Sequence, residues 1–139
     1  MNKRCRNEVI ELHQFFEDWF AGRLENSDSS FQRFAGVLWE DFQIVGPGGT
    51  LTPRDRLLDG LRRSYASMKG RKFRIRIENY QGRPIGQGLW LITYEEWQED
   101  EKEPKGRLSS AVFRGKPGNP NQVEWLHVHE VWLPQEEER

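Results

Sequence analysis

The sequence holds a single cysteine, Cys5, so no disulfide forms within the chain. A lone thiol fits a reducing compartment. No stretch approaches the ~20 apolar residues that a membrane helix needs. Met1-Asn2-Lys3-Arg4-Cys5-Arg6 leads into Glu8 and Glu11 instead of the apolar run of a signal peptide. These absences predict a cytoplasmic protein without a membrane partner. A dominant charge is missing too, since 21 basic and 22 acidic residues leave a formal charge of -1. That balance argues against a nucleic-acid coat or a polyanionic tail. Internal repeats are absent, and the one biased segment is the acidic stretch from Glu99 to Glu103. The 139 residues leave room for one domain, expected over 1–139 with its core at about 7–134.

Aromatic residues are plentiful at 12%, with six Trp and eight Phe, and such rings fill a core or line a cavity with few residues. Val9, Leu12, Phe16, Trp19 and Phe20 recur at helical spacing, with Ile10 and Phe15 widening the stripe, and Gly22 stands near its end. Ser27, Asp28 or Ser29 is placed to cap a second, short helix carrying Phe31, Phe34, Val37 and Leu38. Phe42-Gln43-Ile44-Val45 reads as a strand stopped by Gly46-Pro47-Gly48-Gly49. Thr52 as N-cap, Pro53 at the first helical position and Asp55 in the first turn then open a third helix, with Leu57, Leu58, Leu61 and Tyr65 on its apolar face. Gly70 is its expected stop.

From Phe73 onward the period is two. Strands are predicted from Phe73, from Leu89 to about Gln98, from Leu108 to Arg114 and from Val123 to Leu133, with a turn region at Gly82 to Gly88. Turns of hairpin length imply antiparallel pairing. The predicted order is ααβαββββ, an α+β class with three helices gathered against one antiparallel sheet. On the long strand Trp90, Ile92, Tyr94 and Glu96 share one face, while Leu89, Leu91, Thr93, Glu95 and Trp97 share the other. Both faces are largely apolar, so both are expected to be covered. The helices cover one, and a second copy of the chain is expected on the other as a homodimer.

Two segments carry a family resemblance. One is Phe42-Gln43-Ile44-Val45-Gly46-Pro47-Gly48-Gly49 with Arg54 and the leucine-bearing helix after it. The other is Trp125-Leu126-His127-Val128-His129-Glu130-Val131-Trp132, which is similar to a Trp-x-x-x-His-hydrophobic closing strand. With the element order, they resemble the nuclear transport factor 2-like superfamily, and within it the SnoaL-like members of unknown function. The resemblance implies a cone, in which a strongly curved sheet curls round the first helix and leaves a cavity at its open end. Such members include isomerases, cyclases, dehydratases and modules that only bind or dimerise, so fold alone does not select an activity. The steroid-isomerase-like members use a cavity tyrosine and carboxylates, and no tyrosine falls on the first helix here.

His127 and His129 lie two apart on a strand and share a face, with Trp125 and Val131 assigned to the same side. Adjacent imidazoles suit acid-base work, or metal binding if His13 or a carboxylate adds a third ligand. The histidine face is expected to line the cavity, with Glu130 on the opposite face. His127 and His129 are therefore the candidate catalytic pair. Phe16, Trp19, Phe42, Tyr94 and Trp125 are expected to join them as ligand contacts. The basic stretch from Arg54 to Arg76 lacks interleaved aromatic platforms and reads as a solvated face, not a nucleic-acid site. Gly46-Pro47-Gly48-Gly49 lacks the Gly-Lys-Ser/Thr ending of a phosphate loop. The expected function is binding of a small hydrophobic or amphipathic molecule, with no cofactor and no metal. The alternatives are an isomerase, cyclase or dehydratase using a pocket histidine or carboxylate, and a non-catalytic dimerisation or partner-binding module.

Overall fold

The computed structural model describes residues 1–134. The charged tail at 135–139 lies outside them. Helix α1 (Asn2–Ala21) buries Cys5, Glu8, Val9, Leu12, His13, Phe15 and Trp19. The stripe is therefore the expected one with two polar members added, while Ile10 is exposed. Gly22 ends the helix at φ 73, and the Arg23 N–H reaches back to the Asp18 carbonyl at 2.9 Å. Helix α2 (Asp28–Ala35) is capped by Ser27, whose hydroxyl accepts from the Ser30 N–H at 3.1 Å.

Strand β1 (Leu38–Val45) turns through Gly46–Gly49 into a three-residue strand, β2 (Leu51–Pro53), paired antiparallel with it. The sequence order missed β2, because three residues are too few for alternation to register. Thr52 consequently lies in a strand, Pro53 occupies the N-cap, and helix α3 runs Arg54–Arg63. The chain then passes through turns to Gly70 (φ 77). Strands β3 (Arg74–Gly86), β4 (Leu89–Glu99), β5 (Lys105–Gly115) and β6 (Val123–Trp132) form the expected antiparallel meander.

Among the described residues the sheet has six strands, in the order β2-β1-β6-β5-β4-β3. It is mixed, because β1 pairs parallel with β6. β3 runs straight through the expected turn at Gly82 and Pro84 with two register shifts. Proline is tolerated there because β3 is an edge strand with no neighbour on one side. Register shifts also interrupt β1/β6 and β5/β6. Such interruptions bend and twist a sheet. The inner face presents Ile92, Tyr94, Ala111, Phe113 and Val128 to the helices. Among the described residues no helix is long and apolar enough to cross a membrane.

Candidate ligand-binding site

Between the helices and the inner face lies a cavity of about 220 Å³. Phe16, Phe34, Phe42, Leu57, Trp125 and Val128 contribute to its apolar wall. The polar lining is confined to His13, Glu96, Gln98, Arg107 and Glu130, with the Tyr94 hydroxyl nearby. Ligand sites usually combine such walls with a few placed polar groups.

The histidine expectation is corrected by the fold. β6 contains a bulge: Val112 pairs with His127 and Phe113 with Trp125, leaving Leu126 without a partner in β5. The extra residue reverses the alternation. Trp125 faces inward together with Val128 and Glu130, all buried, while His129 is exposed and His127 half-buried on the outer face. Neither His127 nor His129 lines the cavity. Among the described residues no third donor joins them in a metal-holding group. Phe16, Phe42, Tyr94 and Trp125 do come together around the cavity. Trp19 lies behind it, its indole N–H donating to the Leu61 carbonyl at 2.8 Å and its ring edge-on to Tyr65 at 4.7 Å. It joins α1 to α3 and does not line the space.

The charged groups at the cavity are ones the sequence left in the background. His13 Nδ1 lies 2.7 Å from the Val9 carbonyl, and Nε2 lies 2.9 Å from Glu96 Oε1. A carbonyl only accepts, so Nδ1 carries a proton. Burial pushes Glu96 up, but the His13 charge and hydrogen bond, with Arg107 and Gln98, outweigh it and bring the carboxyl down to about 2. An ionised carboxylate also only accepts, so Nε2 carries a proton as well. His13 is therefore an imidazolium. Burial works against that charge, yet Glu96 and the Val9 carbonyl raise its pKa above the ordinary histidine value.

Glu130 completes the cluster. Arg107 Nη1 donates to its Oε1 at 3.1 Å and the Ser109 hydroxyl donates to its Oε2 at 3.1 Å. Burial pushes Glu130 up further than Arg107 pulls it down, and the neighbouring Glu96 charge adds to the rise. Tyr94 is raised well above the usual phenol value, first by burial and then by Glu96 and Glu130. At the other end of α1, Glu8 is fully buried and accepts from Arg33 at 2.8 and 3.1 Å, Trp125 at 2.9 Å and Asn121 at 3.0 Å. With its lone pairs taken, it fixes the Trp125 ring in the cavity wall.

A sequence signal for this cluster existed. His13 falls inside the apolar stripe of α1, and Glu96 continues the apolar face of Trp90, Ile92 and Tyr94. A charge on each of two buried faces calls for a partner across the interface.

The family model described as Sucrose-6-phosphate phosphohydrolase C-terminal matches residues 5–134. Sucrose-phosphatase 1 of Nicotiana tabacum is 26% identical over 127 residues, covering 91% of this chain and 30% of that protein. Probable sucrose-phosphatase 2 of Arabidopsis thaliana is 25% identical over 126 residues, covering 91% of this chain and 29% of that protein. The chain thus spans under a third of the length of these curated relatives. Among solved structures, an NTF-2 like protein of unknown function from Pseudomonas aeruginosa superposes at TM-score 0.82 with 24% identity, covering 94% of this chain and 99% of that one. A CaMKII hub from S. rosetta superposes at TM-score 0.64 with 9% identity, covering 94% and 95%. These likenesses establish the nuclear transport factor 2-like fold that the sequence resembled.

Proposed function

The chain belongs to the sucrose-6-phosphate phosphohydrolase C-terminal family, and from that membership we propose that it is an accessory module that binds a small amphipathic molecule in the cavity between α1 and the sheet. One observation carries the reading: an apolar cavity of about 220 Å³ whose charged groups gather in one cluster. A dry apolar void of ~150 Å³ already admits a benzene-sized guest. The phosphatase activity in the relatives' names is not assigned to this chain, which aligns with about 30% of their length. The buried single cysteine keeps the cytoplasm as the proposed compartment.

The test is a thermal-shift screen of aryl and alkyl amphiphiles against the full chain. Binding to the native state raises the melting temperature, by an amount that grows with ligand concentration. Ile44→Trp places a larger side chain in the cavity wall and is expected to abolish the shift while leaving the chain folded. An unchanged shift in that variant would locate the ligand elsewhere.

A second reading rests on Glu130. A buried carboxyl with a raised pKa beside an apolar cavity is the arrangement that proton abstraction next to a carbonyl requires. This is the isomerase, cyclase or dehydratase alternative with the acid-base role moved from His127 and His129 to Glu130. Its signature is turnover that Glu130→Gln removes while ligand affinity persists.

Self-association is proposed through the outer sheet face. Leu108 and Val131 are 38% and 47% exposed there, with Leu91 and Val112 half-exposed beside them. His127 and His129 stand on that same face. One similar fold is titled a CaMKII hub and another a putative association domain, which supports a second copy as the occupant.

A further inference from the structure

We propose that His127 and His129 are half of a zinc site that two copies of the chain complete, their imidazoles meeting one ion across the outer sheet face. The inference rests on the self-association reading and adds what is bound at that interface.

The bulge at Leu126 sets the pair up. Beyond it the β5–β6 register is regular, with His127 opposite Val112 and His129 opposite Ser110. Residues two apart on a strand project from one face. A rise of about 3.3 Å per residue puts their Cα atoms about 6.6 Å apart. A tetrahedral ion with Zn–N bonds of about 2.0–2.1 Å holds neighbouring nitrogens about 3.4 Å from each other. Two imidazoles that lean together span the difference. β6 lies between β1 and β5 and is hydrogen-bonded to both, which gives the chelate a rigid base.

The ring nitrogens are free to bind. Among the described residues His13 spends both of its nitrogens, on Val9 and Glu96, whereas the rings of His127 and His129 make no hydrogen bond or ion pair. Their register partners are Gln43 and Val45 on β1 and Val112 and Ser110 on β5, none of them charged, so no paired neighbour repels a cation. Among the described residues no third donor of the same chain joins the pair. One chain thus offers two ligands, which is why the sequence alone pointed away from a metal.

A second copy supplies the rest. β6 and β5 are the two middle strands of the six. Exposed apolar residues adjoin the histidines there: Val131 follows them on the same face, and Leu108 pairs with it. An isologous interface joins the same patch of both copies, so residues near its centre meet their own counterparts. Covering this face would also take the imidazoles out of water with no partner on their own chain, at a cost. A shared tetrahedral ion removes that cost, and imidazole nitrogen is a ligand that suits zinc.

The test uses the full chain without a polyhistidine tag at pH 7.5, with Zn2+ titrated by calorimetry and mass followed by light scattering. One ion is expected per two chains. Zinc at about 100 times its dissociation constant should tighten the dimer about hundredfold, and EDTA should reverse the gain. Co2+ in place of zinc should show the visible bands of a tetrahedral ion. His127→Ala and His129→Ala should each lose the response to zinc. Stoichiometry and mass on the unaltered chain decide the question even if a variant does not fold. A dimer that is indifferent to zinc and EDTA, or that takes one ion per chain, overturns the shared site and leaves self-association standing. A chain that stays monomeric with and without zinc overturns both.

Discussion

Single side chains at the charged end of the cavity set its chemistry. The His13–Glu96 pair is buried, at 5% and 8% side-chain exposure, and each partner's charge depends on the other. The pH consequence follows from the two shifts. His13 has a raised folded pKa, so its contribution is complete below about 6.5 and is lost as pH rises through the folded value. Glu96 is lowered from 4.5 to about 2, so its contribution is complete above 4.5 and is lost as pH falls towards 2. The pair therefore stabilises most between about pH 4.5 and 6.5. Glu96→Gln removes the partner of the imidazolium and is expected to cost about 3 kcal/mol in that window, and less as pH rises through the folded His13 value. Urea unfolding of both chains across pH 4 to 9 checks this, and a pH-independent difference counts against the pair. The sequence placed both residues on apolar faces, but nothing in it tells which face opposes which. The ion pair spans 83 positions and exists only once α1 lies across β4.

At the level of elements, helices and the β3–β6 meander were legible because their periods run over eight or more residues. Features that break a period were not. One unpaired residue at Leu126 moves Trp125 inward and sends His127 and His129 out, and alternation carries no mark of its own interruption. β2 is three residues long, and the parallel β1–β6 pair joins distant segments. The end of α1 was legible through Gly22, and its surroundings explain why glycine is needed. Gly22 is left-handed at φ 73, and a Cβ there would stand 2.9 Å from the Ala66 Cβ. Ala66 is itself left-handed at φ 58, and its N–H donates to the Trp19 carbonyl at 3.0 Å. Gly22→Ala is expected to destabilise the chain by about 1–2 kcal/mol. Adding Ala66→Gly removes both the contact and one left-handed alanine, and should restore part of the loss in thermal melts. A double variant no more stable than Gly22→Ala would place the strain elsewhere.

For the whole molecule, the two sheet faces divide the work. The inner one holds the cavity and its charged end, and the outer one is proposed to meet a second copy. Val131→Glu places a charge on that outer face, away from the cavity lining. It is expected to shift the chain from dimer to monomer in light scattering and to leave the thermal shift given by cavity ligands unaltered. A mass already monomeric in the unaltered chain with zinc present would remove the dimer proposal and the shared zinc site, and leave the cavity reading standing. The parallel alignment of β1 with β6 also constrains biosynthesis. On the side away from β2, residues 38–45 find their neighbour only at 125–129, and Glu8 waits for Trp125, which lies 117 positions further on. Contacts this distant slow folding. A nascent polypeptide halted before residue 123 has α1 and its Arg33 partner translated but lacks both the Trp125 donor to Glu8 and the strand that β1 and β5 flank, so ribosome-bound intermediates of this fold should be chaperone clients until β6 has left the exit tunnel.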